Sequence, residues 1–130
     1  VADWIFENYP SADKIVEIGV GESFRVLDAL SEKLPKCDLI ATDIREVSPP
    51  SGVKFIRDDI THPNFDVYRE ADLLFSIRNP PELYPYLKKV ASRTDADLLV
   101  KPVSSEERPP WGELVNYSGL SFFLLKNSQE

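Results

Sequence analysis

One stretch constrains the fold of this chain more than any other, residues 15–22, Ile-Val-Glu-Ile-Gly-Val-Gly-Glu. In it an apolar run passes an acidic residue, Glu17, and ends in two glycines, Gly19 and Gly21, that are separated by one residue. The segment that follows has apolar residues at helical spacing and ends at Pro35. This order predicts a strand, a glycine turn and a helix, which together form the nucleotide-binding corner of a Rossmann-like sheet.

Both glycines have a physical reason to stand in this turn. Gly19 can adopt a backbone conformation that residues with a Cβ avoid, and Gly21 lets a ligand approach the main chain. The unpaired N–H groups at the start of the following helix would face that ligand. The third glycine of the dinucleotide fingerprint is missing, because Phe24 stands in its place, and this disfavours a nicotinamide or flavin dinucleotide. A tight turn without a ligand is the alternative interpretation.

The same stretch resembles the first motif of class I S-adenosylmethionine-dependent methyltransferases, in which an acidic residue precedes two glycines spaced by one. Ser23 stands where that motif often has a third glycine. The resemblance implies that Glu17, Gly19 and Gly21 belong to a site for S-adenosyl-L-methionine.

Composition favours one domain that spans residues 1–130, with 42% hydrophobic residues to supply its core. The net charge of −7 argues against broad electrostatic binding to nucleic acid or to an anionic membrane. No stretch predicts a membrane span or a signal peptide, and Cys37 is the single cysteine, so we expect a reducing cytoplasm. Because the sequence contains no Met, we expect residues to precede Val1.

The apolar pattern of the whole chain predicts an α/β fold, Rossmann-like, with a mostly parallel sheet and reduced helices. Strands are expected at residues 14–18, 38–43, 53–56, 72–77 and 96–100, and helices at 2–9, 22–34, 64–70 and from 83 onward. Residues 44–52 are too few for the usual crossover helix, and residues 104–111 are expected to form a polar loop. Residues 114–117 and 120–125 are expected to form a C-terminal antiparallel hairpin around Ser118 and Gly119.

Acidic residues after strands two and three are candidates for binding a nucleoside. Asp43 ends strand two 22 residues after Gly21, a spacing at which a carboxylate can accept hydrogen bonds from both ribose hydroxyls. Asp59, with Asp58 as the alternative, resembles the methyltransferase Asp that follows strand three and holds the adenine amino group. The other interpretation is that Asp43 caps a turn and that the two loop aspartates are ordinary solvated charges.

Nearly the whole chain is similar to a small uncharacterised archaeal family with the class I methyltransferase fold. The similarity lies in the glycine turn, in Ser76-Ile77-Arg78 after it, and in the following Pro80-Pro81-Glu82-Leu83. It implies a sheet that binds S-adenosyl-L-methionine, with Ser76 among the residues of the cofactor site. The activity and the methyl acceptor stay open.

The loop after strand four supplies two catalytic candidates, Asn79 and Arg78. With the two prolines after it, Asn79 resembles the Asn-Pro-Pro-aromatic loop of amino-methyltransferases, in which the Asn side chain and a backbone carbonyl hold the attacking amine. The aromatic position is occupied by Glu82, and a proline-stiffened helix entry is the alternative. Candidates for a general base are His62, Asp59 and Glu82. One His and one Cys cannot make a typical zinc site, so no metal is expected.

Basic residues follow several strands and predict an anionic substrate, such as a phosphorylated metabolite or a nucleic-acid strand. Arg45, Arg78 and Lys101 come after strands two, four and five, and Arg108 lies in the next loop. Because the carboxyl ends of parallel strands meet at one edge, we expect these cations beside the cofactor. Local neutralisation by nearby carboxylates is the alternative role for them.

The reduced helices also predict a partner chain, because a parallel sheet is normally covered on both faces. Trp111 and the apolar side chains of the hairpin are expected to need cover from a second copy or another protein. The sequence is compatible with three functions. The first is S-adenosylmethionine binding with methyl transfer, and the second is a non-catalytic nucleotide-binding or scaffold domain. The third is a nicotinamide-dependent enzyme, which Phe24 disfavours.

Overall fold

The computed structural model describes residues 1–127, which form a seven-stranded sheet flanked by helices. The strands are β1 (Lys14–Ile18), β2 (Asp38–Asp43), β3 (Lys54–Arg57), β4 (Leu73–Ile77), β5 (Asp97–Lys101), β6 (Glu113–Tyr117) and β7 (Leu120–Leu125). The helices are α1 (Ala2–Asn8), α2 (Arg25–Lys33), α3 (Phe65–Tyr68) and α4 (Tyr84–Thr94), with 3-10 turns at Pro81–Leu83 and Ser105–Glu107.

The strand order is β3-β2-β1-β4-β5-β7-β6. The first five strands are parallel, whereas β7 runs antiparallel to β5 and pairs with β6 in a hairpin. Ser118 and Gly119 form its two-residue turn with φ of +47° and +79°, the conformation that such hairpins favour. The predicted mostly parallel Rossmann-like sheet with a terminal hairpin is confirmed. Its order reverses between β1 and β4, where open α/β sheets bind ligands at the carboxyl ends of the strands.

Alternation along the central strands divides the core between two faces. On β1, Ile15 packs on the face that α1 and α2 cover, whereas Val16 and Ile18 pack on the face of α3 and α4. The central strands are buried on both faces, which explains their nearly continuous apolar sequences. Glu17 shares the face of Ile15, so this acidic residue points toward the α1 and α2 side.

The helix after the glycine turn begins at Arg25, three residues later than the sequence predicted. Gly21 has φ of +63°, outside the helical region, and Phe24 is the residue that caps α2. The boundaries of the other predicted elements agree with the structure to within two residues.

Two crossover helices of the usual fold are reduced, as predicted. Residues 44–53, all of which the structure describes, contain no helix, and residues 102–112 contain only a 3-10 turn. Trp111 nevertheless packs against Tyr84, with ring centroids 6.1 Å apart. Trp111 stays partly exposed all the same, so the expectation that it needs cover from another chain stays a prediction, as does the partner chain itself. Within residues 1–127 no helix has the length and apolarity needed to cross a membrane.

Candidate functional site

The glycine turn after β1 is fixed by hydrogen bonds to the end of β2. The backbone N–H groups of Gly19 and Val20 donate to the carbonyl oxygen of Thr42 at 2.9 and 3.0 Å. Gly19 has φ of +71°, the left-handed conformation that was predicted for this position and that favours glycine. The chain therefore turns sharply at the carboxyl edge of the sheet and brings its backbone to the surface there.

Asn79 occupies the space beside Gly19 and ties the loop after β4 to the glycine turn. Its Nδ2 lies 2.7 Å from Oγ of Ser76, 3.1 Å from the carbonyl oxygen of Ile18 and 3.2 Å from that of Gly19. A Cβ added to Gly19 would lie 2.6 Å from Oδ1 of Asn79. Ser76 is buried behind this contact. The geometry favours a structural role for Asn79 and Ser76, and their predicted catalytic and cofactor roles stay predictions.

Asp43 lies against the glycine turn from the end of β2. Its Oδ2 accepts a hydrogen bond from the backbone N–H of Gly21 at 2.8 Å, and its Oδ1 accepts one from the N–H of Arg45 at 3.1 Å. The carboxylate thus caps the turn, which was the alternative interpretation. Each oxygen keeps a further lone pair, so ribose binding by Asp43 stays a prediction.

Asp58 and Asp59 are neighbours in sequence but have different surroundings. Asp58 accepts hydrogen bonds from the Tyr68 hydroxyl at 2.6 Å and from the Asn64 N–H at 3.1 Å, and so holds α3 in place. The side chain of Asp59 is 52% exposed, and hydrogen bonds from the hydroxyl and the N–H of Thr61 lower its pKa. Asp59 is therefore the member of the pair whose carboxylate is accessible.

A cavity of about 590 Å³ opens beside the glycine turn, within the size range of small-molecule sites. It is lined by side chains from β1, the turn, α2, the ends of β4 and β5, and the start of β7, among them Glu17, Glu22, Arg25, Arg78, Lys101 and Leu120. Six of the predicted cofactor-binding and catalytic residues are not among the described residues that line it, namely Gly19, Gly21, Asp43, Asp59, Ser76 and Asn79. The structure therefore separates the predicted site residues into two groups.

Glu17 has the most unusual surroundings of the cavity residues. Its side chain is 4% exposed, and its Oε1 has no hydrogen-bond partner among the described residues. Burial raises the pKa of Glu17 to about 8, because a low-dielectric environment disfavours the charged form. A buried polar atom without a partner is costly, so a donor group in the cavity would stabilise this carboxyl.

Arg78 and Lys101 lie next to each other where β4 and β5 end. The N–H of Arg78 donates to the carbonyl oxygen of Lys101 at 2.8 Å, and Ile77 is opposite Lys101 in the sheet. Both side chains line the cavity, and within residues 1–127 neither takes part in a salt bridge. Arg78 has φ of +59°, a strained conformation for a residue with a Cβ.

The other two predicted cations do not join them. Arg45 lies in the exposed loop after β2 and does not line the cavity, and the Arg108 guanidinium lies over the ring of Phe123, 4.8 Å from its centroid. Arg25 and Leu120 are among the cavity residues that were not predicted from the sequence. Arg25 was placed inside a helix that in fact begins with it, and Leu120 reaches this edge because the antiparallel β7 starts here.

Comparison with known sequences relates the whole described chain to one family. The model of the uncharacterised protein family UPF0146 matches residues 1–127. A UPF0146 protein of Archaeoglobus fulgidus is 36% identical over 97% of this chain and 92% of that protein. A UPF0146 protein of Methanothermobacter thermautotrophicus is 40% identical over 85% of this chain and 80% of that protein.

Comparison with solved structures gives the fold. The N-terminal domain of EvdMO1 with S-adenosylhomocysteine bound has a TM-score of 0.61 and 21% identity, over 91% of this chain and 53% of that one. The MycE methyltransferase of the mycinamycin pathway, in complex with Mg and S-adenosylhomocysteine, has a TM-score of 0.62 and 13% identity, over 98% and 46%. A Plasmodium falciparum chain assigned as a ribosomal RNA methyltransferase has a TM-score of 0.65 and 13% identity, over 94% and 91%.

These likenesses confirm the resemblance that the sequence indicated, at the level of fold. The chain spans about half the length of the EvdMO1 and MycE structures. At such low identity a shared fold does not carry an activity, so the function has to be argued from the site.

Proposed function

The chain belongs to the uncharacterised protein family UPF0146, and on this premise we propose that it binds S-adenosylmethionine at the carboxyl edge of its sheet and transfers the methyl group to an acceptor. Two solved structures with this fold hold S-adenosylhomocysteine. The observation that carries the proposal is the buried, unpartnered carboxyl of Glu17 beside the glycine turn.

The residues present fit this ligand chemically. S-adenosylmethionine carries an ammonium group, and an ammonium donor would satisfy Oε1 of Glu17 and favour its charged form. Beside Gly21 there is open space, since a Cβ added there would meet nothing within 4 Å. A ligand can therefore approach the main chain at Gly21. Asp43 and Asp59 are the residues that we assign to the ribose and the adenine, on the resemblance to methyltransferases.

When bound, S-adenosylmethionine supplies an activated methyl group, whose transfer depends mainly on alignment. This chain contributes to the alignment in two ways. Glu17 would hold the ammonium end of the ligand, and the glycine turn would support the ligand from below. The apolar side chains of Val20, Ile77 and Leu120 line the same cavity and can pack against the apolar parts of the ligand.

Isothermal titration calorimetry with S-adenosylhomocysteine and NAD tests the proposal. We expect the first ligand to bind and NAD not to bind. Glu17→Gln should weaken binding about tenfold, because a charged hydrogen bond is replaced by a neutral one. Glu32→Gln is the matched control, since Glu32 is an exposed residue of α2 outside the cavity. If S-adenosylhomocysteine does not bind at millimolar concentration, the proposal is wrong.

A non-catalytic nucleotide-binding or scaffold domain is the second candidate. One observation favours it: the amide of Asn79 and the carboxylate of Asp43 are engaged by the chain's own groups. Both candidate functions predict ligand binding, but only a methyltransferase should transfer the methyl group to an acceptor. Incubation with methyl-labelled S-adenosylmethionine and a panel of phosphorylated and amino-group acceptors should label an acceptor if the protein is a methyltransferase. Binding without label in any acceptor would favour the second candidate.

A further inference from the structure

We propose that Arg78 and Lys101 bind a phosphate group on the methyl acceptor, so that the acceptor is a small phosphorylated molecule. This inference rests on the proposed function and names the class of its second substrate. The two residues come from neighbouring strand ends and line one cavity, so a single ligand group can reach both.

The charges around the cavity favour this assignment. Its lining holds the cationic side chains of Arg25, Arg78 and Lys101, against the acidic side chains of Glu17 and Glu22. Burial raises the pKa of Glu17 to about 8, so this carboxyl is mostly uncharged at neutral pH. The lining thus has a surplus of two positive charges while Glu17 is protonated, and of one when a bound ammonium keeps Glu17 ionised, in a chain whose net charge is −7. A local cationic site in an acidic protein concentrates anions.

Local neutralisation does not account for these cations. The salt bridges among residues 1–127 involve Lys33, Lys54, His62 and Arg69, and all four lie away from this cavity. By contrast, Arg78 and Lys101 keep their side-chain donors available on its wall. An arginine fork and a lysine ammonium in adjacent positions match the several acceptor oxygens of a phosphate.

Size and charge favour a small molecule over a nucleic-acid strand. The cavity of about 590 Å³ has the size of a small-molecule site, whereas nucleic-acid binding needs a row of phosphate contacts. A net charge of −7 repels an extended polyanion. The cofactor itself offers a competing anion, its own carboxylate, and the experiment has to separate the two sources.

Titration of the full chain with inorganic phosphate at constant ionic strength, followed by amide chemical shifts, tests the inference. We expect phosphate to shift the amide signals at the ends of β4 and β5. Arg78→Gln and Lys101→Gln should each weaken phosphate binding about tenfold. Lys88→Gln is the matched control, because Lys88 is an exposed cation of α4 that does not line the cavity, and it should bind as the wild type does.

The same titration in saturating S-adenosylhomocysteine identifies the source of the anion. Two results together support an acceptor phosphate: the wild type saturated with S-adenosylhomocysteine still binds phosphate, and Arg78→Gln binds S-adenosylhomocysteine as the wild type does. Competition between the two ligands assigns the cations to the cofactor carboxylate and overturns the inference. The inference is also overturned if a single-stranded oligonucleotide binds through Arg78 and Lys101 at least a hundredfold more tightly than phosphate. If S-adenosylhomocysteine does not bind, the proposed function is wrong. If phosphate binds Arg78→Gln and Lys101→Gln as tightly as it binds the wild type, only this inference is wrong.

Discussion

The two sides of the glycine turn differ in how far their polar groups are satisfied. On one side, which we call the clamp (Gly19, Asp43, Ser76 and Asn79), the side chains bond to the backbone and to each other. On the other side, the cavity, Oε1 of Glu17 has no partner among the described residues. Clamp and cavity meet at the glycine turn, yet of the two only the cavity contains a buried side-chain polar atom without a hydrogen-bond partner among the described residues.

This difference predicts a division of labour between neighbouring residues. Groups that already have partners stabilise the turn, and their loss should appear in the free energy of unfolding. Groups that lack partners are costly in the isolated protein and gain from a ligand, so their loss should appear in binding. The following changes test this division, in order of expected effect.

The pH dependence of stability should carry the signature of Glu17. Burial raises its pKa from 4.5 to about 8, so the folded protein holds this proton more tightly than the unfolded chain does. Its contribution is fully present below pH 4.5 and is lost as the pH rises through the folded pKa. Between pH 5 and 8, the free energy of unfolding should fall by about 3 kcal/mol more in the wild type than in Glu17→Gln.

Urea unfolding at a series of pH values measures this difference. Glu32→Gln, on the exposed side of α2, should keep the dependence of the wild type. Parallel curves for wild type and Glu17→Gln would mean that Glu17 is solvated or partnered in solution.

Gly19→Ala should cost about 2–3 kcal/mol of unfolding free energy, because it forces a Cβ into a positive φ and against Asn79. Gly21→Ala is the matched control: it has the same sign of φ, but its Cβ would enter open space. We expect about half the loss there. Equal losses in the two variants, measured by chemical denaturation, would show that the contact with Asn79 contributes nothing.

Asn79→Ala should lower the free energy of unfolding by about 2 kcal/mol, because the carbonyl groups of Ile18 and Gly19 and the Ser76 hydroxyl lose their donor. Binding of S-adenosylhomocysteine to the folded variant should change less than threefold. Asn116→Ala, on the exposed face of β6, provides the comparison. A variant of normal stability that no longer binds or turns over ligand would instead place Asn79 in the catalytic machinery.

Arg78→Gly should have the smallest effect on stability and the opposite sign. Relief of the left-handed backbone at Arg78 should raise the free energy of unfolding by about 1 kcal/mol. Glu70→Gly relieves a similar φ of +64° at an exposed position away from the cavity, and it should match this gain. A loss of stability in Arg78→Gly alone would assign its side chain a structural role.

The sequence predicted the sheet well because its signals are local. The alternation around β1 and the turn residues Ser118 and Gly119 depend only on neighbours in the chain. The clamp could not be predicted, because Gly19 and Asn79 are 60 residues apart and meet only after β4 has paired with β1. For Glu17 the motif predicted a place in the site. That its carboxyl lacks a hydrogen-bond partner could not be predicted, because this depends on all the residues that pack around it.

The proposed function depends most on Glu17, whose buried carboxyl we expect to accept a hydrogen bond from the ligand. Calorimetric titration with S-adenosylhomocysteine at pH 7, repeated in buffers of different ionisation enthalpy, counts the protons exchanged on binding. Because Glu17 is mostly protonated beforehand and an ammonium ligand favours its charged form, we predict the release of up to about one proton per ligand by the wild type. Glu17→Gln should release none, and equal proton release by the two proteins would contradict the account.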